Sequence, residues 1–322
     1  MGKILTISIA AYNVEQYINK AISSCILSEE YRNLVEVIVV NDGSKDATLA
    51  LAKHFQTQYP DIVKVIDKKN GGYGSTINAA VKEANGKYFK LLDADDWLDV
   101  ENLEYLVKRL ENTEEDMILT DFLEYYGEKE NNIVNKYDLM EDCHIRIHEI
   151  KANTQFLMHG LCYKTQLLKE RYIPITEHCF YTDMEYVMLY LPYIKSVRYF
   201  HKVVYIYRLN NCGQSVSVQG IKKHYEDSKK VLLKLLDISS KNNNEIYKYQ
   251  IAQFGKKTVG NYIIGTSIKS VRKAVKELDK YIKEKDYVVY NMMKNKSIIL
   301  LRKTNYISVW FEKIYIYMRN LK

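Results

Sequence analysis

Proline is scarce in this chain, at 3 residues, and glycine is modest, at 13. Together these counts exclude collagen-like sequence and long Pro- or Gly-rich linkers. Cysteine numbers 5 (Cys25, Cys143, Cys162, Cys179 and Cys212), an odd count with no CxxC pair. That argues against a disulfide framework and for a reducing compartment. No run of about 18 apolar residues occurs, so no membrane-spanning helix is expected. The first apolar stretch, Ile4 to Ala11, is too short and too lightly preceded by charge for a signal peptide. No GxxxxGK[ST] is present. The glycines at 71, 72 and 74 do not complete GxGxxG, because Ile77 holds the third position. A P-loop NTPase and a dinucleotide-binding enzyme are therefore excluded by motif.

What remains is the composition of an ordinary globular protein: 322 residues, 47% hydrophobic and 27% charged. The length suits one large domain plus an appendage. The net charge of +7 is unevenly spread. Ile251 to Lys322 holds 16 Lys/Arg against 5 Asp/Glu, a net of +11, and the remainder holds 31 against 35, or −4. A basic tail on a mildly acidic body implies an anionic partner, unless it is only a solvated helical face. No RNP, helix-turn-helix or zinc-finger pattern supports nucleic acid as that partner.

Along the chain, apolar runs at Ile4–Ala10, Val35–Val40, Val63–Ile66 and Tyr88–Leu92 read as strands. Helical patterns at Val14–Leu27, Asp46–Gln58 and from Gly74 to Ala84 separate them. Such alternation predicts a parallel sheet with helices on both faces. Ligands bind at the carboxyl ends of strands in such sheets. Tyr12-Asn13, Asp42-Gly43 and Asp93 to Asp96 all fall there. A further strand is expected at Met117–Thr120, then a mixed region through Ser217, then long helices from Lys222.

The acidic cluster is the chemical centre. Asp93, Asp95 and Asp96 lie within four residues of chain. Carboxylates this close repel unless a cation compensates, and hard oxygen ligands suit Mg²⁺ or Mn²⁺. Asp93 and Asp95 are read as the metal and diphosphate pair. Asp96 is read as the N-cap of a helix beginning near Trp97, since Asp is common there.

These segments are similar to glycosyltransferase family 2. The blocks are Ser8-Ile9-Ala10-Ala11-Tyr12-Asn13, Glu36 to Asp46, Asn70-Gly71-Gly72 and Gly86 to Trp97, in that order. Weaker blocks follow at Gly160 to Leu168, Tyr181-Thr182-Asp183-Met184-Glu185-Tyr186 and Tyr205-Ile206-Tyr207-Arg208, resembling bacterial members that build surface polysaccharides. The resemblance implies a GT-A fold, meaning a Rossmann-like, mostly parallel mixed sheet with helices on both faces, followed here by a C-terminal helical extension. It also implies a nucleotide-sugar donor (usually UDP), Mn²⁺ or Mg²⁺, and inversion at the anomeric carbon. By match of position the donor contacts are Ala11, Tyr12, Asn13, Asp42, Gly72, Asp93, Ala94 and Asp95. Of these, Tyr12 and Asp42 hold the base, and Asp95 and Asp93 serve the metal. Asp183 falls where the family places its catalytic base, with Thr182 in place of the usual preceding acid. Ile77 stands where an Arg usually precedes Asn78. Arg208 is read either as charge near the diphosphate or as a structural pair. Glu185 is the alternative base: in a strand it would share a face with Asp183, in a helix the two would diverge.

Two regions remain open on sequence. His159 lines an acceptor cleft or is a satisfied core histidine, and Tyr193, Tyr199, Tyr205 and Tyr207 form a sugar-stacking wall or scattered core tyrosines. In the tail, Ile307, Trp310, Phe311, Ile314, Met318 and Leu321 recur at helical spacing beside Lys313, Arg319 and Lys322. That pattern predicts an interfacial helix on an anionic membrane surface, with a stripe buried as core as the alternative. The expected organisation is a catalytic domain over 1–220 (nucleotide-sugar half 1–120, acceptor half 121–220) and a basic helical region over 221–322. The expected setting is cytoplasmic, peripheral at the inner face of the cell membrane, with a glycan or lipid-linked saccharide as acceptor. Homo- or hetero-oligomerisation stays open. The competing reading is a non-catalytic binding protein, a degenerate transferase that assists another.

Overall fold

The structure, a computed structural model, describes residues 2–127, 132–134, 137–209 and 218–319, with side chains as far as residue 314. Cys212, Leu321 and Lys322 lie outside the described residues, as do the side chains of Tyr315, Tyr317, Met318 and Arg319. The chain divides into two compact units, Met1–Asn210 and Asn211–Lys322.

In the first unit, β1 (Leu5–Ala11), β2 (Val35–Asn41), β3 (Val63–Asp67) and β4 (Tyr88–Asp93) pair in parallel in the order β3-β2-β1-β4. All of β2 is buried, as its β-branched run requires of a strand covered on both faces. The register sets Ala11 opposite Asn41 and Ala10 opposite Asp93, which brings three polar strand ends to one sheet edge. Three helices make the crossovers: α1 (Ile18–Ser23), α2 (Thr48–Gln58) and α3 (Tyr73–Glu83). The sheet continues through β5 (Trp97–Leu98), β6 (Met117–Tyr125), β7 (Asn132–Val134), β8 (Ile145–Arg146), β9 (Leu161–Lys164) and β10 (Ser196–Arg208). Antiparallel β9 joins β4 to β6, and β10 lies parallel to β6 and carries β5 at its far edge. The remaining helices of this unit are α4 (Val100–Leu110), α5 (Thr165–Glu170) and α6 (Asp183–Leu189).

Two local expectations are corrected. The helix predicted over Val14–Leu27 shortens to α1. Asn13 takes a left-handed φ of 52°, and the Val14 N–H goes to Thr48 Oγ1 at 2.8 Å, so these residues bind the neighbouring loop. Asp96 caps no helix. Trp97-Leu98 is a strand, and Asp99 caps α4 by accepting from Asn102 N at 2.9 Å. Asp96 and Asp99 are equivalent as cap signals, and only the inward packing of Asp96 separates them.

The second unit holds α7 (Val218–Ser239), α8 (Glu245–Gly265), α9 (Val271–Lys285), α10 (Tyr287–Met292), α11 (Lys296–Lys303) and α12 (Val309–Arg319). Its core includes Leu232, Leu235, Ile251, Val275 and Ile282. Buried ion pairs hold its turns. Asp286 caps α10 and accepts from Lys248 at 2.7 Å and Ser239 at 2.6 Å, while Asp279 takes two donors from Arg302. No helix among the described residues is long and apolar enough to cross a membrane.

Candidate active site

The loops after β1 and β2 are tied together by side-chain to backbone bonds. Asn13 N donates to Ser44 Oγ at 3.1 Å, and Lys45 N donates to Asn13 Oδ1 at 2.8 Å. Ala11 is buried, and its carbonyl accepts from Asp42 N at 2.8 Å. Tyr12 is left 48% exposed, so its ring is offered at the rim rather than packed.

Asp42 is buried and acts as a hub. Its carboxylate accepts from Gly71 N at 2.9 Å and Gly72 N at 2.8 Å, and pairs with Lys68 at 2.8 Å. Ser75 Oγ also approaches Oδ1, at 3.3 Å, so three donors share Oδ1 and the second lone pair of Oδ2, which takes only Gly72 N, is where a further donor fits. Gly72 has φ 80°, the left-handed region, where a Cβ would meet His178 N at 3.2 Å. At Gly74 a Cβ would collide with the Thr176 carbonyl, so the 175–178 segment packs there only because the residue is glycine. Asn78 completes the clamp, exchanging bonds of 2.8 Å with Ile175 O and Ile175 N.

The β4 end gathers the acids. Asp93 Oδ1 accepts from the Tyr73 hydroxyl at 2.7 Å. Asp96, 1% exposed, accepts from the Tyr205 hydroxyl at 2.6 Å and from Arg208 N at 2.7 Å, so it anchors the end of β10. Burial, then the repulsion of neighbouring carboxylates, pushes the pKa of both Asp93 and Asp96 up. Burial, followed by the charge of Asp93, likewise holds the Tyr73 hydroxyl protonated as a donor. Ligand atoms of Asp93, Asp96 and His159 lie within 4.8 Å of one another. The Asp95 charge contributes to the upward shifts of Asp93 and Asp96, so it stands within electrostatic reach of both. A set of hard oxygen donors short of positive charge fits Mg²⁺ or Mn²⁺.

Arg208 sits in this cluster. Its Nε donates to the Asp95 carbonyl at 2.9 Å, and its guanidinium lies 4.8 Å from the Trp97 ring and 5.2 Å from that of Tyr17. Lys20 covers Trp97 as well, 3.2 Å from the ring centre. Its pKa is lowered by burial and then by Arg208, as expected of two cations sharing one aromatic platform.

The Asp183/Glu185 pair falls on a helix, α6, and the two diverge. Glu185 is fully buried, and its oxygens accept from Thr176 N at 2.8 Å and Thr176 Oγ1 at 2.6 Å. Asp183 is half-buried, and its charge raises the pKa of Asp93, Tyr73 and Tyr207 behind the larger effect of burial. Its charge therefore reaches the acid cluster. Glu185→Ala would strand two donors of Thr176. It is expected to cost about 1–3 kcal/mol of stability, read by urea denaturation. Unchanged stability would return Glu185 to contention as a base.

Several residues here carried no sequence signal. Lys68, Tyr73 and Thr176 act across gaps in the chain that no local motif spans. Ile77 is buried, and Lys68 is the cation placed beside the Gly71-Gly72 turn. The four tyrosines form no single wall. Tyr199 bonds Asp121 at 2.8 Å and Tyr193 lies 5.2 Å from Arg171, whereas Tyr205 and Tyr207 pack on His159 at 4.9 and 4.4 Å.

A mostly parallel curled sheet, with an acid pair at the end of its fourth strand, defines a GT-A-like protein. The family profile described as glycosyl transferase family 2 matches residues 6–172, and the chain belongs to that family. An uncharacterized glycosyltransferase of Haemophilus influenzae is 36% identical over 131 residues, which cover 41% of this chain and 40% of the relative. Glycosyltransferase GlyA of Streptococcus pneumoniae serotype 4 is 25% identical over 222 residues, covering 64% of this chain and 30% of the relative. The chain thus spans less than half the length of either relative. In fold it is similar to S. aureus TarS 1-349, solved in complex with UDP-GlcNAc, with a TM-score of 0.73 at 17% identity over 98% of this chain and 92% of that one.

Proposed function

We propose that this protein is a metal-dependent, inverting glycosyltransferase that moves a sugar from a UDP donor to a hydroxyl of a glycan or lipid-linked saccharide in bacterial surface polysaccharide synthesis. The observation that carries the reading is the division of labour around β4. Asp183 lies within electrostatic reach of the acid cluster, while Glu185 is consumed by Thr176.

In this reading Tyr12 stacks on the base at the rim. Asp42 sets the Gly71-Gly72 turn beneath it and accepts the uracil ring N–H. Asp93 and Asp95 hold the divalent cation, with Asp96 and His159 beside them. When bound, the cation offsets the charge of the leaving diphosphate. Arg208, steadied by Trp97 and Tyr17, adds positive charge on the same side. A carboxylate oxygen of Asp183 takes the proton from the acceptor hydroxyl as the hydroxyl oxygen bonds to the anomeric carbon. The bond to the diphosphate breaks on the opposite face, so the configuration inverts. Charge builds on the sugar ring as in glycoside hydrolysis.

A donor screen tests the reading. With Mn²⁺ present, slow hydrolysis is expected with UDP-sugars and not with GDP- or dTDP-sugars. Preference for another nucleotide would overturn the base assignment, and no turnover or binding of any donor would favour the non-catalytic reading.

A further inference from the structure

The described part of helix α12, with the residues just before it, carries its apolar side outward. Ile307, just before the helix, and Trp310, Phe311 and Ile314 share one helical face and are 45, 36, 72 and 45% exposed. The polar side points in. Glu312 accepts from Ser297 Oγ at 2.6 Å, and Lys313 Nζ donates to the Ile263 and Ile264 carbonyls at 2.6 and 3.2 Å, neutralising the carbonyl end of α8. Among the described side chains of 307–314, Val309 and Ser308 are the buried ones. A helix docked on its own domain ordinarily hides its apolar stripe, and here the arrangement is reversed.

Helix α11 adds a second exposed apolar pair beside its buried one. Ile298 and Leu301 are buried, whereas Ile299 and Leu300 are 42 and 48% exposed. Helical spacing puts exposed Lys296 and Lys303 on the same outer side as that pair. The Ser297–Glu312 bond ties the two helices together. Ile268, 50% exposed and followed by exposed Lys269, extends the surface, since its carbonyl accepts from Trp310 Nε1 at 3.1 Å. The unit 211–322 holds 23 Lys/Arg against 9 Asp/Glu, a net of +14.

The geometry points to an anionic lipid surface as the occupant of the α11–α12 face. Outward apolar and aromatic side chains interleaved with lysine make an interfacial element, and the charge of the unit selects anionic headgroups. Phe311, Ile307, Ile314, Ile299 and Leu300 enter the headgroup–acyl boundary. Trp310 lies at headgroup level, and Lys269, Lys296 and Lys303 meet the lipid phosphates. This surface is independent of the donor reading, and either can fail alone.

Deleting residues 305–322 would not test it cleanly, because that removes buried Val309 and the Lys313 contacts to α8 as well. Point variants of the full chain do. Flotation with phosphatidylcholine vesicles, with and without phosphatidylglycerol, is the measurement. Wild type is expected to float with the phosphatidylglycerol vesicles, less so as salt rises, and not with phosphatidylcholine alone. The double variant Ile307→Ser, Phe311→Ser is expected to lose more than about tenfold in partitioning. Lys296→Glu with Lys303→Glu is expected to lose at least about thirtyfold. Unchanged circular dichroism verifies each fold, and if the serine variant does not fold, the charge reversal alone decides. Failure of wild type to float, or wild-type flotation by the folded variants, overturns the proposal. So does a wild-type dimer that the variants dissociate without vesicle binding, which would assign the face to a second copy.

Discussion

Asp183→Asn is expected to lower kcat for transfer by about 10² to 10⁴, or roughly 3 to 5 kcal/mol of barrier, with donor affinity nearly unchanged. The substitution keeps shape and removes basicity. The expectation rests on α6, where Glu185 is spent on Thr176 and Asp183 is left within electrostatic reach of the acids at the end of β4. The residue before it is in keeping with that arrangement. Thr182 is buried, so an acid there would be desolvated and costly to ionise. Single-turnover transfer and donor titration together check the prediction. Near-normal transfer would overturn it. A defect confined to donor affinity would also overturn it, by moving Asp183 to the nucleotide or metal side.

Asp95→Ala is expected to abolish turnover in a folded protein, and EDTA is expected to do the same to the wild type. The same cluster predicts a pH signature that does not require activity. Burial and mutual repulsion raise the pKa of Asp93 and Asp96 above the unfolded value. A carboxyl with a raised folded pKa binds its proton more tightly in the folded state. Its stability contribution is therefore present at low pH and lost as pH rises through and above the ordinary carboxylate range, about pH 4. A bound divalent cation reverses that loss. Mn²⁺ is therefore expected to raise Tm more at neutral pH than near about pH 4, and to raise it less in Asp95→Ala. Equal Tm shifts at both pH values, or full turnover by Asp95→Ala at saturating donor, would end the metal assignment.

Much of the site was legible because parallel strands alternate with helices and end in loops at one edge. Tyr12, Asp42 and the Asp93–Asp95 pair each follow an apolar run, so the run itself announces the position. Asp96 was misread for the same reason. A local signal cannot tell a cap from a buried anchor when the anchored partners, Tyr205 and Arg208, lie more than a hundred residues away. The tail shows the limit in another form. Periodicity finds a stripe at Ile307, Trp310, Phe311 and Ile314, but it is silent on which way the stripe faces.

By itself, then, the sequence determined the strand–helix alternation, the acids at the strand ends and the basic charge of the last helices. These are local or additive properties of neighbouring residues. Only the tertiary structure decided that α6 separates Asp183 from Glu185, that Asp96 serves β10, and that residues 307–314 turn their apolar side outward. Each depends on a partner outside its own element: Thr176 in the loop before α6 for Glu185, and, far along the chain, Tyr205 for Asp96 and the α8 carbonyls for Lys313. Long-range contacts of this kind leave no period in the sequence, because chain separation carries no record of which side chains a fold will bring together.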